Sequence, residues 1–191
     1  MVAITTGNGL GLFSTSVNLL GSAGPASDPT LGKPGQGDRI SVNAATGNLV
    51  IQQADEILAN SGLDLNLVRT YNSQGQWDGD NLDNWQLAPH QKLTVSGTIN
   101  IAGSYVLRTT GDGAEVRYDF DSGLSQYLSK DGDGAHDALV FNVGTATWTW
   151  TDGSSRITET YATIAGVIRL TSSKDIDGNS TTYTYNPTGL L

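Results

Sequence analysis

Carboxylates crowd into two short segments of this chain. Asp131, Asp133 and Asp137 lie within KDGDGAHD (130–137), and Asp175, Asp177 and Asn179 form an Asp-x-Asp-Gly-Asn cluster further on. Spacing of this kind can aim several oxygens at one hard cation, as a calcium site requires. Tight turns select the same residues, and no Glu stands at the twelfth position of an EF-hand loop, so turn formation is the better account of both clusters. The two histidines, His90 and His136, sit in no HExxH helix and beside no GxSxG turn, so a Ser-His-Asp arrangement would have to be assembled in space. TGNGLG (Thr6–Gly11) has the glycines of a phosphate loop, but no Lys-Ser/Thr follows it. Aromatic rings offer a different chemistry, because an exposed Trp can stack on a sugar. Trp77 and Trp150 are the candidates, while Trp148 reads as a core anchor. Asn179-Ser180-Thr181 matches a glycosylation acceptor.

The composition limits what such residues can serve. The 191 residues carry 19 Asp+Glu against 10 Lys+Arg, a formal net charge of −9. Nucleic-acid affinity comes mainly from Lys and Arg neutralising phosphates, so this balance argues against DNA or RNA as partner. With no Cys there is no disulfide frame, thiolate metal site or thiol nucleophile. No apolar run approaches the roughly 20 residues that span a bilayer. MVAITT at the start lacks the basic and apolar regions of a cleavable signal, which fits the cytosol or an export route that uses none.

The elements that would position these residues are strands. Residues 1–38 hold Pro25, Pro29, Pro34 and eight glycines, which prevent a continuous helix or central strand and suggest an irregular leader. From Arg39 onward apolar residues recur at period two, as at Leu63, Leu65 and Leu67 or at Trp148 and Trp150. Only Ala54–Asn60 (ADEILAN) suggests helical turns. Asp-Gly pairs at 112–113, 152–153 and 177–178 supply the positive φ angles of type I′ hairpin turns. Pairing outward from the first sets Leu107 opposite Tyr118, Tyr105 opposite Phe120 and Thr109 opposite Val116, with Arg108, Arg117 and Asp119 on the other face. The second sets Trp148 opposite Ile157 and leaves Trp150, opposite Ser155, the better claim to exposure. The third sets Leu170 opposite Tyr185. A slip of one residue at the first turn would bury charge.

The turns recur at intervals of roughly 20 residues, and two of them share more than the turn. GAEVRYDFDSGL follows Asp112 and GNSTTYTYNPTGL follows Asp177, each with aromatics at the fifth and seventh positions after the glycine. At these residues the chain resembles the RHS/YD-repeat family of bacteria. NAATGNLV (43–50), GLDLNLVRTYNSQ (62–74) and Asp83-Asn84-Trp85 resemble the region that precedes the repeats in large RHS proteins. Asn186 stands where the motif has Asp, Pro187 follows it, no Arg precedes Leu190, and the units at Asp131 and Asp152 lack Tyr-x-Tyr.

The resemblance implies a ribbon that coils into a shell around a C-terminal cargo. It also implies an extracellular or cell-surface location. The expectation is therefore an all-β protein of antiparallel hairpins stacked as a twisted, solenoid-like sheet over 39–191, with YD-like units near 105–124 and 168–191. Its expected role is a non-catalytic scaffold with no cofactor, pairing with other copies or the rest of its parent protein through an open strand edge. The competing expectation is a carbohydrate- or cell-surface-binding module that uses exposed aromatics.

Overall fold

The computed structural model describes residues 8–10, 39–42, 47–58, 62–63, 65–75, 83–129 and 136–191. Most of the expected 1–38 leader, Trp77, Asp131, Asp133 and the TGNGLG ends lie outside the described residues. The chain divides into two units, one built from 1–58, 65–88 and 111–114 and the other from 59–64, 89–110 and 115–191. Every described regular element is a β-strand.

The first unit holds β1 (Asn8–Gly9) and an antiparallel sheet in the order β2 (Arg39–Val42), β3 (Leu49–Leu58), β4 (Leu65–Asn72) and β5 (Trp85–Leu87). Ala54–Leu58, expected to be helical, is the second half of β3. A strand wins because β4 flanks this stretch along its length, from Val50↔Asn72 to Leu58↔Leu65. A bulge between Ala54 and Glu56 absorbs the one residue that breaks the alternation. It leaves Asp55 to pair with Arg69, whose guanidinium also reaches Gln53 (2.9 Å).

The second unit overturns the solenoid expectation. Its strands are β6 (Lys92–Ser96), β7 (Tyr105–Thr109), β8 (Ala114–Asp121), β9 (Gln126–Leu128), β10 (Ala138–Asn142), β11 (Thr147–Thr151), β12 (Thr158–Ile164) and β13 (Val167–Lys174). Each pairs antiparallel with the next in sequence, and β13 returns to pair with β6, closing an eight-stranded up-and-down barrel. Strand twist has one hand, so successive hairpins turn the same way and bring the last strand round to the first. Closure removes the bare edges that an open ribbon would keep. The closing seam is short: Ile168 faces Leu93, Arg169 faces Lys92, and Leu170 N–H donates to Gln91 C=O at 3.2 Å. Further along that edge of β13, Ser172–Lys174 pair instead with β14 (Ser180–Thr182).

The hairpins fall where the Asp-Gly pairs stand, but in other registers. Thr109 faces Glu115 and Val106 faces Tyr118, one residue away from the two-residue turn expected at Asp112-Gly113. Four residues, 110–113, bridge the strands, with Gly113 at φ 89° and the Asp112 carboxylate accepting the Ala114 N–H. The charge burial that such a slip would cause takes place: Val106, Arg108, Val116 and Tyr118 point inward, whereas Leu107 and Tyr105 share the outer face with Arg117, whose guanidinium lies 4.0 Å from the Tyr105 ring centre. At Asp152-Gly153 the shift is larger. Asp152 caps the Ser154 and Ser155 N–H groups (2.7 Å each), Arg156 takes a positive φ of 61°, and Trp148 faces Tyr161 rather than Ile157. At Asp177-Gly178 the pairing Ser172↔Thr182 is again one residue from expectation, although the Tyr185 hydroxyl still reaches Leu170 C=O.

Candidate functional site

The barrel interior has two layers with different chemistry. Toward the end that carries the 122–125 and 143–146 turns it is a run of rings: Phe120 on Tyr127 (5.0 Å between centres), Tyr127 on Trp148 (5.2 Å) and Trp148 on Phe141 (4.9 Å). Tyr127 and Trp148 are buried, and the Tyr127 hydroxyl accepts the Asn100 N–H at 2.7 Å. Phe120–Tyr127 and Phe141–Trp148 are the same structure used twice. In each hairpin an aromatic pair faces across the strands, and an Asx side chain (Asp121 or Asn142) accepts the N–H groups two and three residues on. The last loop residue of each, Ser125 or Ala146, has a positive φ of 54° or 53°.

Toward the other end the interior is ionic. Arg108 and Glu159, each 7% exposed, form a buried pair at 2.8 Å between β7 and β12. The same Arg108 Nη2 donates to Gln91 Oε1 (2.9 Å), and Nε donates to the Tyr161 hydroxyl (3.0 Å), which in turn donates to Glu159. The guanidinium lies 3.8 Å from the Trp150 ring centre. The Trp150 indole N–H donates to the Tyr118 hydroxyl (3.0 Å), which donates to Asp137 (3.2 Å), and Asp137 also accepts the Gly153 N–H (2.9 Å). Burial works against the charge on Arg108, but neighbouring Tyr161 and Glu159 outweigh it and raise its pKa. Burial lifts the Tyr161 hydroxyl well above its ordinary value, with Arg108 opposing and Glu159 adding. Burial lifts Tyr118 as well, against Arg108 and with Asp137.

A cavity of about 280 Å³ adjoins this layer, lined by Arg108, Tyr118, His136, Asp137, Trp150 and Ser154 among others. It needs Gly153: a side chain there would start 2.4 Å from the His136 backbone carbonyl. Trp150, expected to be exposed, is 7% exposed, because the six-residue 152–157 loop carries the turn away and sets Trp150 between Leu139 and Glu159. Ser154, His136 and Asp137 meet at this cavity, yet the Ser154 hydroxyl donates its hydrogen bond to the Asp152 carboxylate (2.7 Å) and not to an imidazole. Of the calcium candidates, Asp137 is committed to Gly153 and Tyr118. Asp175 is the acceptor of a turn, taking the Asn179 N–H (2.8 Å) and side-chain amide (2.7 Å), bonds that hold its pKa below the ordinary value. Among the described residues no three His, Cys, Asp or Glu side chains converge as metal ligands would. Arg108, Glu159 and Gln91 were not singled out in the sequence. The sequence register set Arg108 on the outer face, and only the shifted pairing of β7 with β8 turns it inward.

The first unit contains a second polar cluster, built from the segments NAATGNLV and RTYNS. The buried Asn48 amide donates to Asn72 (2.9 Å) and its carbonyl oxygen accepts the Gln74 N–H (3.1 Å). Leu49 and Ser73 are bonded twice, N–H to hydroxyl (2.8 Å) and N–H to carbonyl (2.9 Å). Asn72 donates onward to the Asp112 carbonyl (3.0 Å), and Tyr71 packs on Trp85 at 5.4 Å. These bonds tie the start of β3 to the end of β4 and leave the buried amides satisfied.

Residues 40–118 match the model of a domain described as of unknown function, DUF6531, a stretch from β2 into β8 that covers less than half of the chain. A comparison with curated proteins gives no match.

Proposed function

We propose that this chain is a non-catalytic structural module of a large RHS/YD-type bacterial surface or secreted protein. The observation that carries the reading is the twice-used aromatic-Asx-x-Gly hairpin at Phe120–Tyr127 and Phe141–Trp148. Its Asx side chain builds the turn and its rings fill the interior, so the motif is a folding unit rather than a reactive site. Tyr185 and Asn186 repeat the start of it: Asn186 accepts the Thr188 and Leu190 N–H groups, and Gly189 takes a φ of 85°. The Asn48–Asn72 cluster adds support, since the segments most specific to the resemblance bond to each other.

On this reading the partner is another copy of the chain or another part of the parent protein, paired along β14, which is paired here with β13. Tyr183 N–H turns toward Thr171 C=O, so strand alternation points the Thr182 N–H away from β13. Sedimentation velocity over a range of concentrations should show association, and Thr182→Pro, which removes one outward donor without touching the β13 pairing, should weaken it. A monomer at every concentration, or association indifferent to Thr182→Pro, would remove β14 as the joining edge.

A further inference from the structure

We infer that the cavity at the ionic end of the barrel is a binding site for a single neutral sugar residue. This goes beyond the scaffold reading and does not rest on it. Arg108 is more than nine-tenths buried, and its bonds to Tyr161, Gln91 and Glu159 use Nε and Nη2 only. Nη1 takes part in none of these bonds and is not among the sealed side-chain atoms left without a partner in the described residues, so with Arg108 lining the cavity it is reached from there. A guanidinium N–H that meets the cavity and is bonded to no protein group can donate to a ligand acceptor there.

The charges around it select the ligand. Glu159 already compensates Arg108, and Asp137 and Asp152 add two further carboxylates to the wall, so an anion would be repelled. A cation would meet the guanidinium itself. A hydroxyl satisfies both demands, accepting from Arg108 Nη1 and donating to Asp137, which uses one bond per carboxylate oxygen and keeps lone pairs to spare. Several hydroxyls on one apolar-faced ring, between donors and acceptors and beside the Trp150 surface that meets the cavity, describe a sugar. The volume of about 280 Å³ sits at the foot of the roughly 300–1,000 Å³ range of ligand pockets and admits one ring, not a chain. The aromatic contact thus lies inside the barrel mouth and not on an exposed sheet face.

The test is calorimetric titration with a panel of neutral methyl hexosides and N-acetylhexosamines, together with glucuronate and glucosamine as charged controls. The Trp150 indole N–H is followed by NMR. At least one neutral sugar should bind saturably and shift that resonance, and more tightly than either charged control. Ser154→Trp, at an exposed rim position, fills the cavity without touching the ion pair and should weaken binding at least about tenfold, the loss of one hydrogen-bonding subsite. No response to any neutral sugar, tighter binding of a charged control, or binding unchanged in Ser154→Trp each overturns the proposal.

Discussion

The two layers of the barrel interior hold the same eight strands by opposite means. In the aromatic layer, contacts are non-directional and each ring has several neighbours, so the layer is tolerant of detail and costly to empty. In the ionic layer the contacts are directional: Arg108 is held by Glu159, Gln91 and Tyr161 at hydrogen-bond distances, and Trp150 by Tyr118. Packing sets how stable the barrel is, whereas the ionic cluster sets which strands meet. Gln91, Arg108, Glu159 and Tyr161 come from both sides of the short β6–β13 seam, so their bonds act as the clasp of a closure that backbone pairing alone holds weakly.

The largest effect should come from emptying the aromatic layer. Trp148 is 2% exposed and touches both Tyr127 and Phe141. Trp148→Ala should cost about 3–5 kcal/mol in a denaturant titration, near the whole stability of many domains. A loss below about 1 kcal/mol would show that the rings are not the packed core, and the contrast between layers would fail.

Breaking the clasp should come next, with a different signature. Arg108→Met strands the Glu159 carboxylate in the interior and should cost about 3 kcal/mol, while Arg108→Met with Glu159→Leu should recover most of that loss. Trp148→Ala has no such rescuing partner. Hydrogen exchange locates the damage: in Arg108→Met, the Leu170 amide at the seam should lose protection before the Phe120 amide does. Simultaneous loss would mean that the cluster stabilises the barrel as a whole and not its closure.

Much of this contrast was legible in the sequence and some was not. That the chain is built of antiparallel strands, with corners at 112–113, 152–153 and 177–178, followed from period-two apolar residues and Asp-Gly pairs, because both report local backbone geometry; the corners at 97–104, 143–146 and 165–166 carry no such pair. The registers did not follow. A four-residue loop at Asp112-Gly113 and a six-residue loop at Asp152-Gly153 use the same dipeptide as a two-residue turn, and only tertiary pairing decides among them. Placing Arg108 outside was the natural choice for an isolated charge, since its partner Glu159 lies 51 residues away and no local spacing connects them. Closure was hidden for the same reason: hairpin signals describe neighbours, and the β6–β13 seam joins the first and last strands. The Asn48–Asn72 bond was not legible: ATGNLV and RTYNS stood out only as parts of a family resemblance, and nothing in the spacing of either segment says that they meet.

The ionic layer should also give the barrel an alkaline limit that the aromatic contacts do not supply. Tyr161 and Tyr118 have raised pKa values in the folded state, burial being the main cause. Above about pH 10 the unfolded chain releases these protons while the folded chain keeps them, so stability falls as pH rises from there. Below that pH both states are protonated and the two residues contribute no slope. Tyr161→Phe and Tyr118→Phe should each flatten the fall in denaturation midpoint between neutral and alkaline pH. A slope unchanged in both variants would assign the titration elsewhere, with the partly buried Tyr183 and Tyr185, also raised, as the next groups to replace.

The smallest effect tests whether the two aromatic hairpins are one unit used twice. Ser125 and Ala146 close equivalent turns in the left-handed region, at φ 54° and 53°. An L-residue there carries strain of roughly 1–2 kcal/mol, and glycine relieves it at an entropic cost of about 0.5–1 kcal/mol. Ser125→Gly and Ala146→Gly should therefore each raise stability by about 0.5 kcal/mol, and because the loops share no hydrogen bond the double variant should add the two gains. Equal, additive gains are what identical turns at the two positions require. A gain at one site and a loss at the other would mean that the Asp121 carboxylate and the Asn142 amide hold different backbones, and the repeat would be one of sequence only.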